Sequence, residues 1–214
     1  MLKIAHRGYS EIFKDNSLEA FQSALDNGFD MIELDIQLCK SDHIVIYHDE
    51  HINDKMINEY TLDELITMDI INIEQFMDII DLTRHKVYFD LKGHENIATY
   101  LMEYIISKNF SMDKIKNIYV GCFNRKCIPL LQIFNLPINI GFLTDNVFNI
   151  HELIHLTNNI QFISIKWTLL NEQDINILHT YGILVFSYTC SSPFIELQMK
   201  KYNLDGIISN TLIT

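Results

Sequence analysis

Short apolar runs of strand length alternate with amphipathic stretches along the chain. The strand-like runs are LKIAH (2–6), MIELDI (31–36), IVIYH (44–48), KVYFDLK (86–92), NIYVGCF (117–123), INIGFL (138–143), FISIKW (162–167), ILVFSYT (183–189) and DGIIS (205–209). Between most of them the apolar positions recur at helical spacing. NSLEAFQSALDNG (16–28) places Leu18, Phe21 and Leu25 on one face and stops at Gly28. NIATYLMEYIISKN (96–109), RKCIPLLQIF (125–134), NEQDINILHTYG (171–182) and PFIELQMKKYN (193–203) follow the same period. Strand, helix, strand, helix predicts a parallel sheet.

Nine strand-like runs are one too many for a closed (β/α)8 barrel. Between Asp35 and His48 there is no room for a crossover helix, which needs a dozen or more residues. A hairpin with its turn near Ser41-Asp42 fits instead and returns His48 to the level of Asp35. The third barrel strand is then 86–92, and the count is eight. Residues 52–85 carry two short helical patterns, TLDELITM and IEQFMDII, and read as a compact insertion or cap before that strand. The expected fold is one TIM-barrel domain over 1–214, with a hairpin after strand two and a short insertion before strand three.

Composition narrows the function classes. An apolar share of 48% and a charged share of 21% over 214 residues suit one ordinary globular domain. A formal charge of −12 disfavours nucleic acid and anionic membrane surfaces as partners. Lys3 and Arg7 interrupt any leader-like apolar run, and no stretch is long enough to span a bilayer. Cys39, Cys122, Cys127 and Cys190 form no CxxC pair, so four reduced thiols and a cytoplasmic location are expected.

In such a barrel the chemistry belongs at the C-terminal strand ends. The first strand ends in His6-Arg7, the second in Glu33 and Asp35, and the third in Asp90 and Lys92; the hairpin brings back His48 and Asp49. Alternate residues share a face, so Glu33 points with Asp35, and Asp90 with Lys92. Each motif alone has a plainer reading: a salt-bridged rim for E-x-D, an ion pair for Asp90-x-Lys92, a packing histidine for His6 or His48. Together they differ. Three converging carboxylates repel unless a cation joins them, and oxygen ligands favour Mg²⁺ or Ca²⁺ over zinc. Arginine and lysine beside such a cation make a phosphate site. Two histidines can serve as base and acid. The chemistry suggested is metal-assisted cleavage of a phosphodiester.

The stretches IAHRGYSEIFKDNSLEAF, MIELDIQLCKSDHIVIYHDE, VYFDLKG and LDGIISN resemble the glycerophosphodiester phosphodiesterase family, in that family's order. The resemblance implies a TIM barrel that hydrolyses a glycerophosphodiester to glycerol 3-phosphate and an alcohol. It implies His6 and His48 as the acid–base pair, Arg7 and Lys92 on the phosphate, and Asn16 as a support of the site. It places one divalent cation, Mg²⁺ or Ca²⁺, on Glu33, Asp35 and Asp90, and a cyclic phosphate on the path. The chain departs from the family pattern at four places. Asp90 stands for a usual Glu, GCF (121–123) for a usual Ser-Phe, Phe186-Ser187 for Trp-Thr with an aromatic wall expected to survive, and Asn210 for a common Asp.

Two other readings compete. A lysophospholipase D would need an apolar entry, for which Phe13, Trp167, Phe186 and Tyr188 are candidates. A degenerate barrel used as a binding module is suggested by the changes at Asp90 and Asn210, against which stand both histidines. His43 and His51 read as solvated, and His85, His94, His151, His155 and His179 have no carboxylate motif around them.

Overall fold

The computed structural model describes residues 1–147, 149–151, 154 and 160–213. The strands in chain order are β1 (Leu2–His6), β2 (Met31–Leu38), β3 (Ile44–Ile46), β4 (His51–Ile52), β5 (Lys55–Met56), β6 (Lys86–Leu91), β7 (Ile118–Cys122), β8 (Asn139–Thr144), β9 (Phe162–Lys166), β10 (Leu184–Cys190) and β11 (Gly206–Ser209). Eight of them run parallel, neighbour to neighbour as β1-β11-β10-β9-β8-β7-β6-β2, and β1 pairs with β2 to close the ring. This is the TIM barrel expected from the alternating pattern. The helices include α1 (Leu18–Asp26), α2 (Leu62–Ile66), α3 (Ile73–Met77), α4 (Ile97–Ser107), α5 (Met112–Ile115), α6 (Cys127–Gln132), α7 (Glu172–Thr180) and α8 (Pro193–Met199). No helix among the described residues is long and apolar enough to cross a membrane.

The period of two along each strand divides the core into two layers. Ile32, Leu34, Ile36, Val87, Phe89, Ile163 and Ile207 face outward into the layer beneath the helices. Ile4, Met31, Tyr88, Tyr119, Leu143, Phe162, Phe186 and Ile208 fill the barrel interior. The interior packs through ring contacts. Phe162 stacks on Phe186 at 5.1 Å and meets Tyr88 edge-on at the same separation. Gly141 leaves the space that Phe162 fills, since a Cβ there would lie 2.3 Å from its ring. Above this layer the same inward face continues as Glu33, Asp35 and Gln37 on β2 and as Asp90 on β6, all buried.

The hairpin forms where the length argument required it. Ile36, Gln37 and Leu38 pair antiparallel with Ile46, Val45 and Ile44. The turn closes through Cys39 N to His43 O at 3.0 Å, with Asp42 at φ +58°. Tyr47 N then donates to Asp35 O at 3.1 Å, which sets His48 beside β2. Gln37, the next inward position after Asp35, donates from Nε2 to the carbonyls of Tyr47 and Asp49, each at 2.8 Å. One buried amide thus clamps the backbone on both sides of His48.

Within 52–85, α2 and α3 each begin with a capping box, Thr61 with Glu64 and Asn72 with Gln75. Ile57, Tyr60, Leu65 and Ile70 form a small core with Cys39 and Val45 on the outside of the hairpin. Helix α3 seats Phe76 between Phe21 of α1 and Phe89 of β6, at 4.9 and 6.4 Å. It therefore covers the outer barrel wall as a crossover helix does. The four cysteines are free and buried.

Gly8 follows the first strand because nothing larger fits. Its φ is +81°, and a Cβ would lie 2.6 Å from the Ala20 carbonyl carbon and 2.8 Å from Ala20 Cβ. Gly8→Ala is expected to destabilise the fold by about 2–4 kcal/mol, combining left-handed strain with a backbone clash. A lowered urea midpoint at unchanged slope checks this; an unchanged midpoint would contradict it.

Candidate active site

A cavity of about 150 Å³ opens at the C-terminal end of the barrel, and all seven residues singled out for chemistry line it: His6, Arg7, Glu33, Asp35, His48, Asp90 and Lys92. Strand register brings them together. His6 is level with Glu33 across β1 and β2, and Asp35 is level with Asp90 across β2 and β6. Phe123, Leu143, Tyr188, Thr189 and Ile208 complete the wall from β7, β8, β10 and β11, and Tyr88 belongs to the lining as well. A wider surface groove of about 760 Å³ lies beside α7, but its lining, from Leu170 to Tyr202, has one carboxylate and no cation.

Glu33, Asp35 and Asp90 each offer a carboxylate oxygen within 4.8 Å of the others. Two cations share this cluster. Lys92 Nζ lies 2.5 Å from Asp90 Oδ2 and 3.1 Å from Asp35 Oδ1. Arg7 Nε lies 3.0 Å from Asp35 Oδ2, and its Nη1 donates to Asp15 Oδ2 at 3.0 Å. The Asp90–Lys92 spacing therefore makes an ion pair, as its plainer reading supposed, within the larger cluster. The loop after β1 turns through positive φ at Arg7 (+57°) and Asn16 (+55°), tied by Asn16 N to Arg7 O at 3.0 Å. Asn16, buried, then donates from Nδ2 to Asp35 Oδ2 at 2.9 Å, and Arg7 N donates to Glu33 Oε2 at 3.0 Å.

The carboxylates titrate apart. Burial, then Asp35 and Asp90, push Glu33 well above the usual carboxylate range. Burial opposes ionisation of Asp35 too, but Lys92, Arg7 and the Asn16 amide outweigh it and hold Asp35 low. Burial lifts Asp90 to about 6 against the pull of Lys92. Burial would lower Lys92, but Asp90 and Asp35 keep it above the ordinary lysine range. Asp90 Oδ1 is buried without a hydrogen-bond partner. Three oxygen donors that cannot all ionise comfortably, one of them unpartnered, fit a hard divalent cation.

The histidines sit in unlike surroundings. His6 donates Nδ1–H to Asn210 Oδ1 at 2.7 Å, which leaves the Nε2 lone pair free. Burial, then the charge of Arg7, lower its pKa to about 4. His48, with 41% of its side chain exposed, donates Nδ1–H to Asp49 Oδ1 at 2.7 Å.

The wall opposite the charged cluster corrects the sequence reading. Phe186 is fully buried in the barrel interior and does not line the cavity. The aromatic wall comes from Tyr188, two residues on, set edge-on to Phe123 at 6.2 Å. Trp167 packs against the outer core, and Phe13 borders a separate groove with Leu18 and Ile66. Of the four aromatics named for an apolar entry only Tyr188 lines the cavity, while Gln37 and Asp15 were not singled out for the site, although Gln37 continues the inward period of Glu33 and Asp35. His179 does have a carboxylate, Asp205, at 2.9 Å, but Asp205 also accepts from Val185 N at the opposite end of the barrel. His155 lies outside the described residues.

The sequence profile of the glycerophosphoryl diester phosphodiesterase family matches residues 6–214. The chain is 25% identical over 236 residues to YhdW of Bacillus subtilis (strain 168), which carries a provisional glycerophosphodiester phosphodiesterase name. That match covers 98% of this chain and 94% of YhdW. The fold is similar to that of a glycerophosphodiester phosphodiesterase from Thermotoga maritima, with a TM-score of 0.78, 22% identity, and 98% and 94% of the two chains covered. It is also similar to an Oleispira antarctica phosphodiesterase solved with the product sn-glycerol-3-phosphate, with a TM-score of 0.84, 19% identity, and 98% and 93% covered.

Proposed function

The chain belongs to the glycerophosphoryl diester phosphodiesterase family, and from that premise we propose that it hydrolyses glycerophosphodiesters to glycerol 3-phosphate and an alcohol at the barrel mouth. The observation that carries this reading is the meeting of two histidines, a carboxylate triad and an Arg–Lys pair in one cavity. Arg7 and Lys92 bind the phosphate oxygens and offset charge as it develops. His6, with its Nε2 lone pair presented, takes the proton of the glycerol 2-hydroxyl as that oxygen attacks phosphorus. His48, oriented by Asp49 and clamped by Gln37, gives a proton to the departing alcohol oxygen. The cyclic phosphate is opened by water with the two histidines in exchanged roles. Glu33, Asp35 and Asp90 would hold one Mg²⁺ or Ca²⁺, which when bound supplies Lewis-acid polarisation of phosphoryl and hydroxyl oxygens. Four unpaired thiols support a cytoplasmic place of action.

The low pKa of His6 gives this assignment a pH signature. A base must be deprotonated, so with divalent cation kept saturating across the pH range, which holds the triad ionised, kcat/KM should hold down to about pH 5 and fall as pH drops through about 4. Asn210→Asp puts a carboxylate against Nδ1, stabilises the imidazolium and should move that limb up by roughly 1–3 pH units. A pH–rate profile of both proteins checks the shift; identical acid limbs would remove Asn210 from control of His6.

A second reading, lysophospholipase D, has one observation in its favour. A groove separate from the cavity is bordered by Phe13, Leu18, Ile66 and Ile70. The catalytic cavity, at about 150 Å³, has the size of a headgroup and not of an acyl chain. With Mg²⁺ or Ca²⁺ present, turnover of glycerophosphocholine and glycerophosphoethanolamine is expected to exceed that of lysophosphatidylcholine. The reverse order would favour the second reading, and no product from any glycerophosphodiester would overturn the first.

A further inference from the structure

Among the described residues, three buried side-chain atoms have no hydrogen-bond partner: Arg7 Nε, Asp90 Oδ1 and Tyr188 Oη. Two of these are explained by the charged cluster. Arg7 Nε faces Asp35 as an ion pair at 3.0 Å, and Asp90 Oδ1 belongs to the carboxylate triad. Tyr188 Oη is left over. A buried phenol ordinarily finds an acceptor, and leaving it unpaired costs free energy that a well-packed wall could avoid with phenylalanine. Tyr188 projects from the inward face of β10, one inward position above Phe186, and lines the catalytic cavity.

The cavity has two halves. Strands β1, β2 and β6, with the His48 segment, supply every charge; β7, β8, β10 and β11 supply Phe123, Leu143, Tyr188, Thr189 and Ile208. With a phosphate against Arg7 and Lys92, the apolar half is what remains of the cavity to receive the carbon skeleton of a glycerophosphodiester. The 2-hydroxyl is held near phosphorus as the nucleophile. The terminal hydroxyl is the glycerol oxygen farthest from phosphorus, and so the one with the longest reach toward the opposite wall.

We propose that Tyr188 is a substrate-positioning and specificity residue, whose Oη donates a hydrogen bond to the terminal hydroxyl of the glycerol moiety. This rests on the function proposed above. It makes the site selective for a free glycerol unit, because a donor built to meet a hydroxyl is left unpaired by an analogue lacking it. The edge-on Tyr188–Phe123 pair closes the wall behind that hydroxyl.

The test compares wild type and Tyr188→Phe on glycerophosphocholine and on its analogue lacking the terminal hydroxyl, propane-1,2-diol 1-phosphocholine. Thermal melting shows that both proteins fold. Tyr188→Phe is expected to lower kcat/KM about 3–15-fold on glycerophosphocholine and less than about twofold on the analogue. Wild type should prefer glycerophosphocholine by a similar factor. No loss on glycerophosphocholine, or equal losses on both substrates, would overturn the proposal. Calorimetric binding of glycerol 3-phosphate and propane-1,2-diol 1-phosphate repeats the comparison without turnover. A Tyr188-dependent preference in binding supports the proposal even if wild type cleaves neither diester, and its absence overturns it. Failure of turnover alone would count against the proposed reaction and not against this contact.

Discussion

Replacing His6 with alanine is expected to lower kcat on glycerophosphocholine by about 10²–10⁴-fold, the usual loss when a positioned general base is removed. The imidazole is held at Nδ1 by Asn210 and stands in the cavity beside the triad. Its low pKa keeps it a free base at neutral pH. Without it, the attacking hydroxyl would have to lose its proton to water. KM should change little, since phosphate binding stays with Arg7 and Lys92. The acid limb near pH 4 should vanish with the imidazole. Turnover within threefold of wild type, or an unchanged acid limb, would take His6 out of the mechanism. Removing His48 should cost a similar factor, and less with substrates whose alcohol leaves readily without a proton.

Glu33→Gln is the second large effect, and it should separate stability from activity. Glu33 is 4% exposed, and burial, then Asp35 and Asp90, push its pKa well up. A carboxyl whose folded pKa is raised keeps a proton that the unfolded chain releases. Its penalty is absent below the unfolded pKa and grows as pH rises toward the folded one. Glutamine imitates the protonated form and removes the penalty, and it can still accept from Arg7 N. In chelator-treated protein, Glu33→Gln should therefore melt higher than wild type at pH 7–8, with the gap shrinking toward pH 4. With divalent cation present the order should reverse, because the variant loses an oxygen ligand that the cation stabilises by mass action. Activity should fall by at least about 10²-fold. Melting curves with and without Mg²⁺ at several pH values check the pattern. A variant less stable than wild type in chelator would mean that the carboxylates are not in conflict.

Much of this site was legible because strand geometry is simple. Alternation put Glu33 with Asp35 and Asp90 with Lys92, and the short spacing from Asp35 to His48 admitted only a hairpin. What escaped the sequence depends on three dimensions. His6 and Asn210 are 204 positions apart and meet because β1 and β11 are neighbours in the closed ring. Gln37 shares the inward period of Glu33 and Asp35, but its role as a clamp appears only once the hairpin has brought back the Tyr47 and Asp49 carbonyls. The aromatic wall was expected at Phe186 because Phe186-Ser187 was matched to the Trp-Thr of the resembled family, and alternation, which identifies inward residues, does not fix their depth. The stagger of β10 puts Phe186 in the packed interior and Tyr188 at the mouth. Asp15 is exposed on a loop, and its partner Arg7 is set by backbone at positive φ that no hydrophobic pattern encodes.

The central claim, hydrolysis of a glycerophosphodiester on the alcohol side of phosphorus, is tested most directly by ³¹P NMR. Purified protein with Mg²⁺ or Ca²⁺ is followed on glycerophosphocholine. The diester resonance should be replaced by that of glycerol 3-phosphate, with free choline released in equal amount. Persistence of the diester, or its conversion to phosphocholine and glycerol, would contradict the claim.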